Sequence, residues 1–520
     1  MNGRTKIQVE NNLHYLTENN IDLTPESLTI NDDDIFGIHG GGNIGLGLMA
    51  DILNKSPRHY RIIATTNNEL NKCLINATHR LWLQHSSHDD NHTTCIKNVE
   101  MISRNRSDII RLYTESTALA LCVTPTIMPN IARDIAHGLL NRYQVTGSNL
   151  KILVLMNKPQ CDQFVKNAIS HELLLLTNQE LTDHILSRVE LIPTVIDRIV
   201  APIPQEKIKS QLIKQMASIN RGALSRHFGT KSIETIIDNP NLLAKAVSIF
   251  NLQFNLFYAE KHFSMHAPDH FALAKQLPLI NTTKDLATIE AIKNKYINGP
   301  HAILAWLGAL FGYKKIAESI KHQFIYKFIN DMMDNEIAPI LTAEFSAVSQ
   351  EELTQLKQTF FKRCADNEDD TVIRVGRDPM RKIDQGGRIR GTMELAKKHG
   401  VSTPCLELGV AACILYAIKK IDPENPGCQQ LAELYQHNRT FSSMLCYQGP
   451  APSGHFTGYD YHKDRNILNN ILAKINALSV YLTTNHVMRS SHLRSNVLHI
   501  FTQPYSQHDN LTVTRRVNYA

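Results

Sequence analysis

Long hydrophobic segments, paired cysteines and a concentrated charge of one sign are all absent from this 520-residue chain. The longest apolar run, around Leu408–Ile418, is too short to span a bilayer and predicts a buried helix. The nine cysteines form no Cys-x-x-Cys pair, which favours reduced thiols over a disulfide framework. The net charge of +6 is spread along the chain and indicates no nucleic-acid partner. Because the polar first residues show no secretory signal, we expect a cytoplasmic protein with no membrane partner.

Several catalytic motifs are also missing. No G-x-S-x-G elbow, HExxH helix or P-loop occurs, so the enzyme classes that use them have no support. The segment QHSSHDDNHTTC does contain potential metal ligands, namely His85, His88, His92 and Cys95. Their spacing matches no standard zinc pattern, and the polar residues around them predict an exposed loop. We therefore predict no metal site.

The chain is long enough for two or more hydrophobic cores, since single cores stop growing near about 250–300 residues. We expect a polar leader (1–33), an α/β domain (34–220), a mostly helical domain (221–450) and a C-terminal extension (451–520). In the α/β domain, predicted strands start at Ile35 and continue at 61–64, 118–123, 152–156 and 189–192, with helices between them. This alternation predicts a doubly wound, Rossmann-type parallel sheet.

The helical domain and the extension show a different pattern. Amphipathic helices are predicted at 240–257, 284–297, 302–313, 316–335, 350–364 and 405–420. The extension contains one predicted helix, Asn466–Leu482, and a β-prone end at Val497–Phe501.

A glycine-rich loop follows the first predicted strand. Gly40, Gly42 and Gly45 fit G-x-G-x-x-G, a pattern that lets the backbone approach a dinucleotide pyrophosphate at a helix start. The acidic residue that usually grips the ribose about 20 residues later is replaced by Thr65. Three alternatives follow: NAD held by weaker contacts, NADP with its extra phosphate, or lost cofactor binding.

The segment EAIKNKYINGPH brings a titratable amine, an amide and an imidazole close together in sequence. Lys293, Asn298 and His301 have the chemistry needed to take a proton from an alcohol and stabilise the remaining oxygen. Together with the glycine loop, this segment predicts a dehydrogenase. Alternatively, the lysine is solvated and the other two residues are helix caps.

Several blocks resemble, in order, the polyol-specific long-chain dehydrogenase family, and its mannitol-1-phosphate 5-dehydrogenase branch most closely. They are HGGGNIGLG, VTP with IARDIAHGL, ILVLMN, IDRIVAP, the K-x4-N-x2-H segment and RVGRDPMRKI. The likeness covers roughly residues 35–445. It implies a nucleotide domain and a helical domain with the substrate site between them, in enzymes that are often monomers.

The resemblance also implies roles for individual residues. Lys293 would be the general acid and base, with Glu290 relaying its proton, and Asn298, Asn157 and His301 would bind the reacting oxygen and the substrate. The cofactor, NAD with NADP not excluded, would be held by Gly40, Gly42, Asn43, Ile44, Gly45, Thr65, Thr124 and Pro125. No metal is needed, because a lysine base replaces it.

A basic cluster in RVGRDPMRKI favours a phosphorylated substrate, because arginine forks suit phosphate oxygens. Its members are Arg374, Arg377, Arg381 and Lys382. Pairing of some of them with acids such as Asp378 or Asp384 is the alternative.

The leading prediction is an NAD(P)-dependent enzyme that interconverts a sugar alcohol, such as the hexitol phosphate mannitol 1-phosphate, and its ketose. One alternative is a catalytically silent protein of the same fold that binds a nucleotide or a partner, which Thr65, Met156 and Pro300 favour. Further alternatives are a free-polyol dehydrogenase and a hexuronate reductase.

Overall fold

The protein is described by a computed structural model at residues 34–87, 90–261, 263–367, 370–452 and 454–487. The expected leader, His88 and the β-prone end Val497–Phe501 therefore lie outside the described residues. The chain forms two compact units that meet in sequence between Lys284 and Asp285. The domain boundary expected from sequence lies earlier, near residue 220, because residues 221–284 read as the first helices of the second domain.

The first unit contains the following elements: β1 (Ile35–His39), a π-helical turn (Gly45–Met49) continued by α1 (Ala50–Asn54), β2 (Arg61–Thr65), α2 (Glu69–Thr78), β3 (Arg80–Ser87), β4 (Asp90–Lys97), β5 (Val99–Ile102), α3 (Arg106–Glu115), β6 (Ala118–Leu121), α4 (Met128–Val145), β7 (Leu150–Val154), α5 (Cys161–Leu176), α6 (Gln179–Leu186), β8 (Val189–Pro193), β9 (Val195–Asp197) and β10 (Val200–Pro202). It continues with α7 (Gln205–Ala217), α8 (Arg221–Phe228), α9 (Ile233–Asp238), α10 (Pro240–Ile249), β11 (Asn255–Glu260), β12 (Ser264–Pro268), α11 (Ala272–Gln276) and β13 (Ile280–Thr283).

The main sheet of this unit has six parallel strands in the order β5-β2-β1-β6-β7-β8. Successive strands extend from β1 first through β2 to β5 and then, on the other side, through β6 to β8. The direction of winding therefore changes between β1 and β6, which is where open α/β sheets bind ligands. The Rossmann-type fold class predicted from the sequence is confirmed.

Both faces of this sheet are buried. In β1, Phe36 and Ile38 join one hydrophobic cluster, whereas Ile35 joins another. Adjacent strands repeat the alternation, with Ala64 in the first cluster and Ile63 in the second. Side chains alternate across a strand, so a sheet covered by helices on both sides needs continuous apolar strands of this kind.

Two sequence-based expectations are wrong in the first unit. The predicted helix 240–257 ends at Ile249, and β11 begins at Asn255 because it pairs with β3 and β10. The predicted exposed loop around His85 is instead the antiparallel pair β3 and β4. In both places long-range strand pairing overrides the local polar or helical pattern.

The second unit is mostly helical: α12 (Leu286–Ala291), a π-helical turn (Ile292–Asn298), α13 (Gly299–Leu310), α14 (Ile316–Ile320), α15 (Gln323–Met332), a second π-helical turn (Met333–Ile337), α16 (Ala338–Glu344), α17 (Gln350–Asp366), α18 (Val372–Gly376), α19 (Pro379–Ile383), α20 (Arg390–His399), α21 (Pro404–Ile418), α22 (Pro426–Asn438), α23 (Phe441–Leu445), β14 (Gln448–Ala451), β15 (Gly454–Thr457) and α24 (Arg465–Val487).

The core of the second unit is built around α21. This helix is buried from Cys405 to Ala417 and packs against α13, α22 and α24. The prediction of a buried helix at the longest apolar run is therefore confirmed, and so is a helix at residues 466–482, which lies within α24. Within the described part of the chain, no helix is both long and apolar enough to cross a membrane.

Candidate active site

The glycine loop after β1 is hydrogen-bonded to Thr65 at the end of β2, whereas the space next to Gly42 is open. The Gly40 amide donates to Thr65 Oγ1 at 2.9 Å, and the Gly41 amide donates to the Thr65 carbonyl at 2.7 Å. A Cβ at Gly40 would lie 2.3 Å from the Cys122 carbonyl oxygen, and one at Gly45 would lie 2.2 Å from the Gly40 oxygen. A Cβ at Gly42, by contrast, would meet no protein atom within 4 Å.

The described residues form no hydrogen bond to the backbone amides of Gly42 and Asn43. Open space and unbonded amides at the start of a helix are what a dinucleotide pyrophosphate requires. The residues present therefore fit this group. Ile44 directly precedes the helical turn and is partly exposed.

The chain segment from β9 to β10 braces the helix that follows the loop. Arg198 forms a fully buried ion pair with Asp51 at 2.9 Å and donates to the Gly47 carbonyl at 3.1 Å. The Asn43 side chain donates to the Val200 carbonyl at 3.1 Å. The IDRIVAP segment thus holds the glycine loop and the following helix in place, because separating a buried ion pair is energetically costly.

The other residues expected at the cofactor follow neighbouring parallel strands. Thr65 ends β2 and is fully buried, with its hydroxyl used by the loop. Thr124 and Pro125 follow β6, and Asn157 follows β7 and is exposed. Because all of these strands run the same way, the residues lie along one edge of the sheet. Their contacts with a cofactor or substrate remain predictions.

The Lys-x4-Asn-x2-His segment is one continuous helix with a π-helical turn in its middle. α12, which carries Glu290, leads into this turn, and α13 follows from Gly299. The Gly299 amide donates to the carbonyl of Asn294, five residues earlier. In this geometry Asn298 lies one turn above Lys293 on the same side. An α-helix, with 3.6 residues per turn, would separate them around the axis.

The same turn accommodates Pro300. Inside an α-helix a proline removes one hydrogen bond and clashes with the preceding turn. Pro300 instead directly follows the π-helical turn, where the hydrogen-bond pattern of the continuous helix changes and one missing amide is tolerated. His301 therefore remains in helical register, three residues after Asn298 and close to it on the helix surface.

His301 faces the interior of the second unit. Its Nε2 lies 3.6 Å from Asp370 Oδ2, and its ring meets Phe360 edge to face at 5.9 Å. This nitrogen is buried and has no hydrogen-bond partner among the described residues. Burial lowers the pKa of His301 to about 4, against the opposing charge of Asp370. The imidazole is therefore neutral near pH 7.

The basic residues of RVGRDPMRKI differ in their hydrogen-bond partners and in their exposure. Arg374 makes two 2.7 Å bonds to Asp370, and Arg381 lies 3.4 Å from Asp378. Lys382 is 2% exposed and donates to the carbonyls of Val375 and Arg377. Burial lowers the pKa of Lys382 well below its ordinary value. These contacts give Arg374 and Lys382 structural partners, while Arg377 is exposed.

A cation that the sequence reading missed lies beside the helix of Lys293. Arg388 Nη1 is 3.5 Å from the Asn298 carbonyl oxygen. Burial, followed by the charge of Arg381, lowers the pKa of Arg388 to about 9, and Arg377 acts in the same direction, while Asp378 opposes them. Arg388 thus lies close enough to Arg377 and Arg381 to feel their charges, with the Asp378 carboxylate nearby. The only sequence signal was the position of Arg388 directly after two glycines, seven residues beyond Arg381.

Among the described residues, no group of three His, Cys, Asp or Glu side chains could hold a metal ion. His85 is 2% exposed, stacks on His92 at 4.5 Å and contacts Thr94 and Arg198. His85 and His92 are therefore stacked on each other in the β3–β4 pair.

The chain is similar to known proteins in both sequence and fold. A family model described as the mannitol dehydrogenase C-terminal domain matches residues 285–439, beginning where the second unit begins. Mannitol-1-phosphate 5-dehydrogenase from Aspergillus niger is 22% identical over 424 residues, which are 81% of this chain and 92% of the relative. The protein of the same name from Enterococcus faecalis is 22% identical over 397 residues, 76% of this chain and 88% of the relative.

Solved structures show the same fold. Pseudomonas fluorescens mannitol 2-dehydrogenase, in a ternary complex with NAD and D-mannitol, matches with a TM-score of 0.67 at 17% identity, over 88% of this chain and 95% of that one. D-sorbitol dehydrogenase in substrate-free form matches with a TM-score of 0.62 at 13% identity, over 88% of this chain and 96% of that one.

The relatives are dehydrogenases, and the protein is accordingly an oxidoreductase. The family match over residues 285–439, the relatives and the shared fold support the polyol-specific dehydrogenase family. The resemblance found in the sequence is confirmed.

Proposed function

We propose that this protein is an NAD(P)-dependent dehydrogenase that interconverts a hexitol phosphate, such as mannitol 1-phosphate, and its ketose phosphate. The observation that carries the proposal is the position of Arg388, whose guanidinium touches the Asn298 carbonyl in the lysine-bearing helix. Arg377 and Arg381 lie near enough to lower its pKa. Mutually repelling cations gain most from a dianionic ligand, and guanidinium forks suit phosphate oxygens.

The relatives support the same substrate class. Those from Aspergillus niger and Enterococcus faecalis are named mannitol-1-phosphate 5-dehydrogenases. A free hexitol carries no charge to match the arginine group, so this group favours a phosphorylated substrate over the free polyol. A hexuronate carries a single negative charge and would satisfy the group less well.

Lys293 is the proposed general base. In the oxidative direction its amine takes the proton of the substrate hydroxyl, and in the reductive direction its ammonium returns that proton. A bound nicotinamide supplies the hydride acceptor. Glu290 precedes Lys293 by three residues, one helical turn, and would pass the proton to solvent.

Neutral donors would stabilise the oxygen that loses its proton. The Asn298 amide lies on the same side of the π-helical turn as Lys293, 3.5 Å from Asn294 Oδ1. It would donate to the developing alkoxide, as would Asn157. His301 is neutral near pH 7, because burial lowers its pKa to about 4, and so can donate one hydrogen bond without adding charge.

The fit of the glycine loop supports a dinucleotide cofactor. Gly42 and Asn43 offer their amides, and the open space above Gly42 admits a pyrophosphate. Thr65 carries no charge that would repel a 2′-phosphate, so NAD and NADP both belong in the test.

The test is reduction of fructose 6-phosphate by NADH or NADPH, followed through the absorbance of the reduced cofactor. Fructose serves as the unphosphorylated comparison, and we expect kcat/KM to be far higher for the phosphate. Lys293→Ala should reduce kcat by roughly 10²–10⁴-fold, the range that general acid–base catalysis contributes.

Lys295→Ala is the matched control, because Lys295 lies in the same π-helical turn as Lys293 and carries the same amine. Burial lowers the pKa of Lys295, against the charges of Glu394 and Glu290. It should keep most of the activity. The proposal fails if wild type reduces neither compound, if fructose is preferred, or if Lys295→Ala rather than Lys293→Ala abolishes turnover. A wild-type protein that binds NADH without turnover would instead favour the catalytically silent alternative.

A further inference from the structure

We infer that the C-terminal hairpin formed by β14 and β15 is a positioning element that holds Arg388 in place to bind the anionic group of the substrate. This inference rests on the proposed function. The hairpin lies beyond residues 285–439, which the family model matches. Its last residue, Thr457, connects it to the loop 384–390, which carries Arg388.

Both ends of the loop are bonded to Thr457. Its amide donates to Asp384 Oδ1 at 2.8 Å, and its carbonyl oxygen accepts from Arg390 Nη1. Both bonds involve a charged side chain, and such bonds are stronger than neutral ones. One peptide segment of the hairpin therefore sets the distance between the two flanks of the loop.

The hairpin is itself firmly attached to the second unit. Phe456 is 2% exposed, and Tyr459, directly after the hairpin, is 4% exposed. The Arg390 guanidinium lies 4.4 Å from the Tyr459 ring centroid, and the Tyr459 hydroxyl donates to Met393 Sδ. A two-stranded hairpin is only marginally stable by itself, so these buried contacts are what give it a defined position.

Within the loop, little freedom remains for Arg388. A Cβ at Gly387 would lie 2.8 Å from the carbonyl oxygens of both Arg381 and Asp384. The Arg388 carbonyl accepts from Thr392 Oγ1 at 2.7 Å, and its side chain reaches the Asn298 carbonyl. Movement of the loop flanks would therefore move the guanidinium relative to the helix of Lys293.

This linkage makes a specific kinetic prediction. Loosening the hairpin contact should weaken binding of the phosphate group but leave the proton transfer by Lys293 unchanged. The effect should appear in KM and in the affinity for inorganic phosphate, whereas kcat should stay the same. It should also act through Arg388 and disappear when Arg388 is absent.

The experiment compares wild type with Asp384→Ala, Asp384→Asn, Arg388→Ala and the Asp384→Ala/Arg388→Ala double variant. Inorganic phosphate binding is measured by titration calorimetry, and KM and kcat are measured for fructose 6-phosphate and for fructose. Asp384→Ala leaves the Thr457 amide without its acceptor, so phosphate Kd and fructose 6-phosphate KM should rise about tenfold, with kcat within about twofold. Asp384→Asn keeps an acceptor oxygen and should restore most of the affinity.

Asp460→Ala is the matched control. Asp460 belongs to the same C-terminal region, but its carboxylate accepts from the amides of His462 and Lys463 in its own turn. It should leave phosphate binding unchanged. Melting temperatures of all variants show whether a change is local or a general loss of stability.

The outcomes separate this inference from the proposed function. Loss of phosphate affinity in Asp384→Ala, with rescue by Asn and no further loss in the double variant, supports the positioning effect even if wild type reduces no sugar phosphate. Turnover of fructose 6-phosphate with unchanged phosphate affinity in Asp384→Ala overturns the inference alone. Additive losses in the double variant, or a wild type that binds no phosphate, also overturn it.

Discussion

Single residues in the glycine loop serve different purposes, although the sequence pattern treats them alike. Gly40 has φ +111° and no room for a Cβ, so the fold itself requires it. Gly45 likewise has no room, because the Gly40 carbonyl is too near. At Gly42 the space is open and is left for the expected cofactor. One of the three glycines can therefore be tested for binding without disturbing the fold.

We predict that Gly42→Ala folds normally but binds NADH more weakly, because its methyl group enters the space a pyrophosphate would occupy. The Kd should rise about tenfold, a change of about 1.4 kcal/mol. The melting temperature should change little. Cofactor fluorescence titration measures the first quantity and thermal unfolding measures the second.

Gly45→Ala provides the contrast. Its Cβ would lie 2.2 Å from the Gly40 oxygen and 2.7 Å from Ile38 Cγ2, so the backbone must shift. Overpacking of this kind costs roughly 1–3 kcal/mol of stability. Equal losses of stability in the two variants would show that Gly42 is a packing residue and not part of a ligand site.

At the scale of elements, each of the two π-helical turns of the second unit carries side chains with a specific role. The first places Lys293 and Asn298 on one side. The second, Met333–Ile337, carries Glu336, whose carboxylate accepts from the amides of Cys405 and Leu406 at the start of α21. Thr403 makes no side-chain cap there, so a residue from another helix caps α21.

Glu336→Gln tests the cost of this buried cap. Burial raises the pKa of Glu336 to about 7, with the charge of Glu407 acting in the same direction and the amide bonds opposing it. A folded pKa above the unfolded value of about 4.5 means that stability is lost as pH rises through about 7. The neutral variant lacks this loss.

We therefore consider the difference in melting temperature, Glu336→Gln minus wild type. This difference should be roughly 2–4 °C more positive at pH 8.5 than at pH 5. Differential scanning calorimetry at several pH values measures it. A difference that stays constant with pH, or that shrinks as pH rises, would contradict a buried carboxylate with a raised pKa.

At the scale of the whole molecule, acid sensitivity should come from buried neutral histidines in both units. Burial lowers the pKa of His39 to about 3 and that of His301 to about 4. Both pKa values lie below the unfolded value of about 6.5. At pH values between the folded and the unfolded pKa, the unfolded chain therefore binds more protons than the folded chain. Their contribution to stability is present above pH 6.5 and lost as pH falls towards the folded pKa values.

We predict that the melting temperature falls steadily from pH 6.5 to pH 4.5, and that His39→Gln makes this fall less steep. His39 Nδ1 contacts the Tyr113 hydroxyl at 3.0 Å, so the variant should be less stable than wild type at pH 7.5. The prediction is tested by the slope of the melting temperature against pH, not by the absolute melting temperature. An unchanged slope would show that His39 takes up its proton without unfolding.

Much of the fold was predictable because its signals are local. The strands at Ile35, Arg61 and Val189 and the helix at Leu408–Ile418 follow from apolar runs and their spacing, which reflect burial directly. The strand β11 was missed, because pairing with β3, more than 170 residues away, decides it and not its own residues.

In the candidate site, too, some features follow from the sequence alone and others only from the tertiary structure. By itself the sequence determined the glycine loop, the Lys-x4-Asn-x2-His segment and the family resemblance, since these depend on residue type at short spacing. Only the tertiary structure decided that Lys382 is buried, that Arg374 is paired with Asp370, and that Arg388 lies beside Asn298, 90 residues away. The availability of a charged side chain depends on its partners and its solvation, and the folded chain alone brings those together.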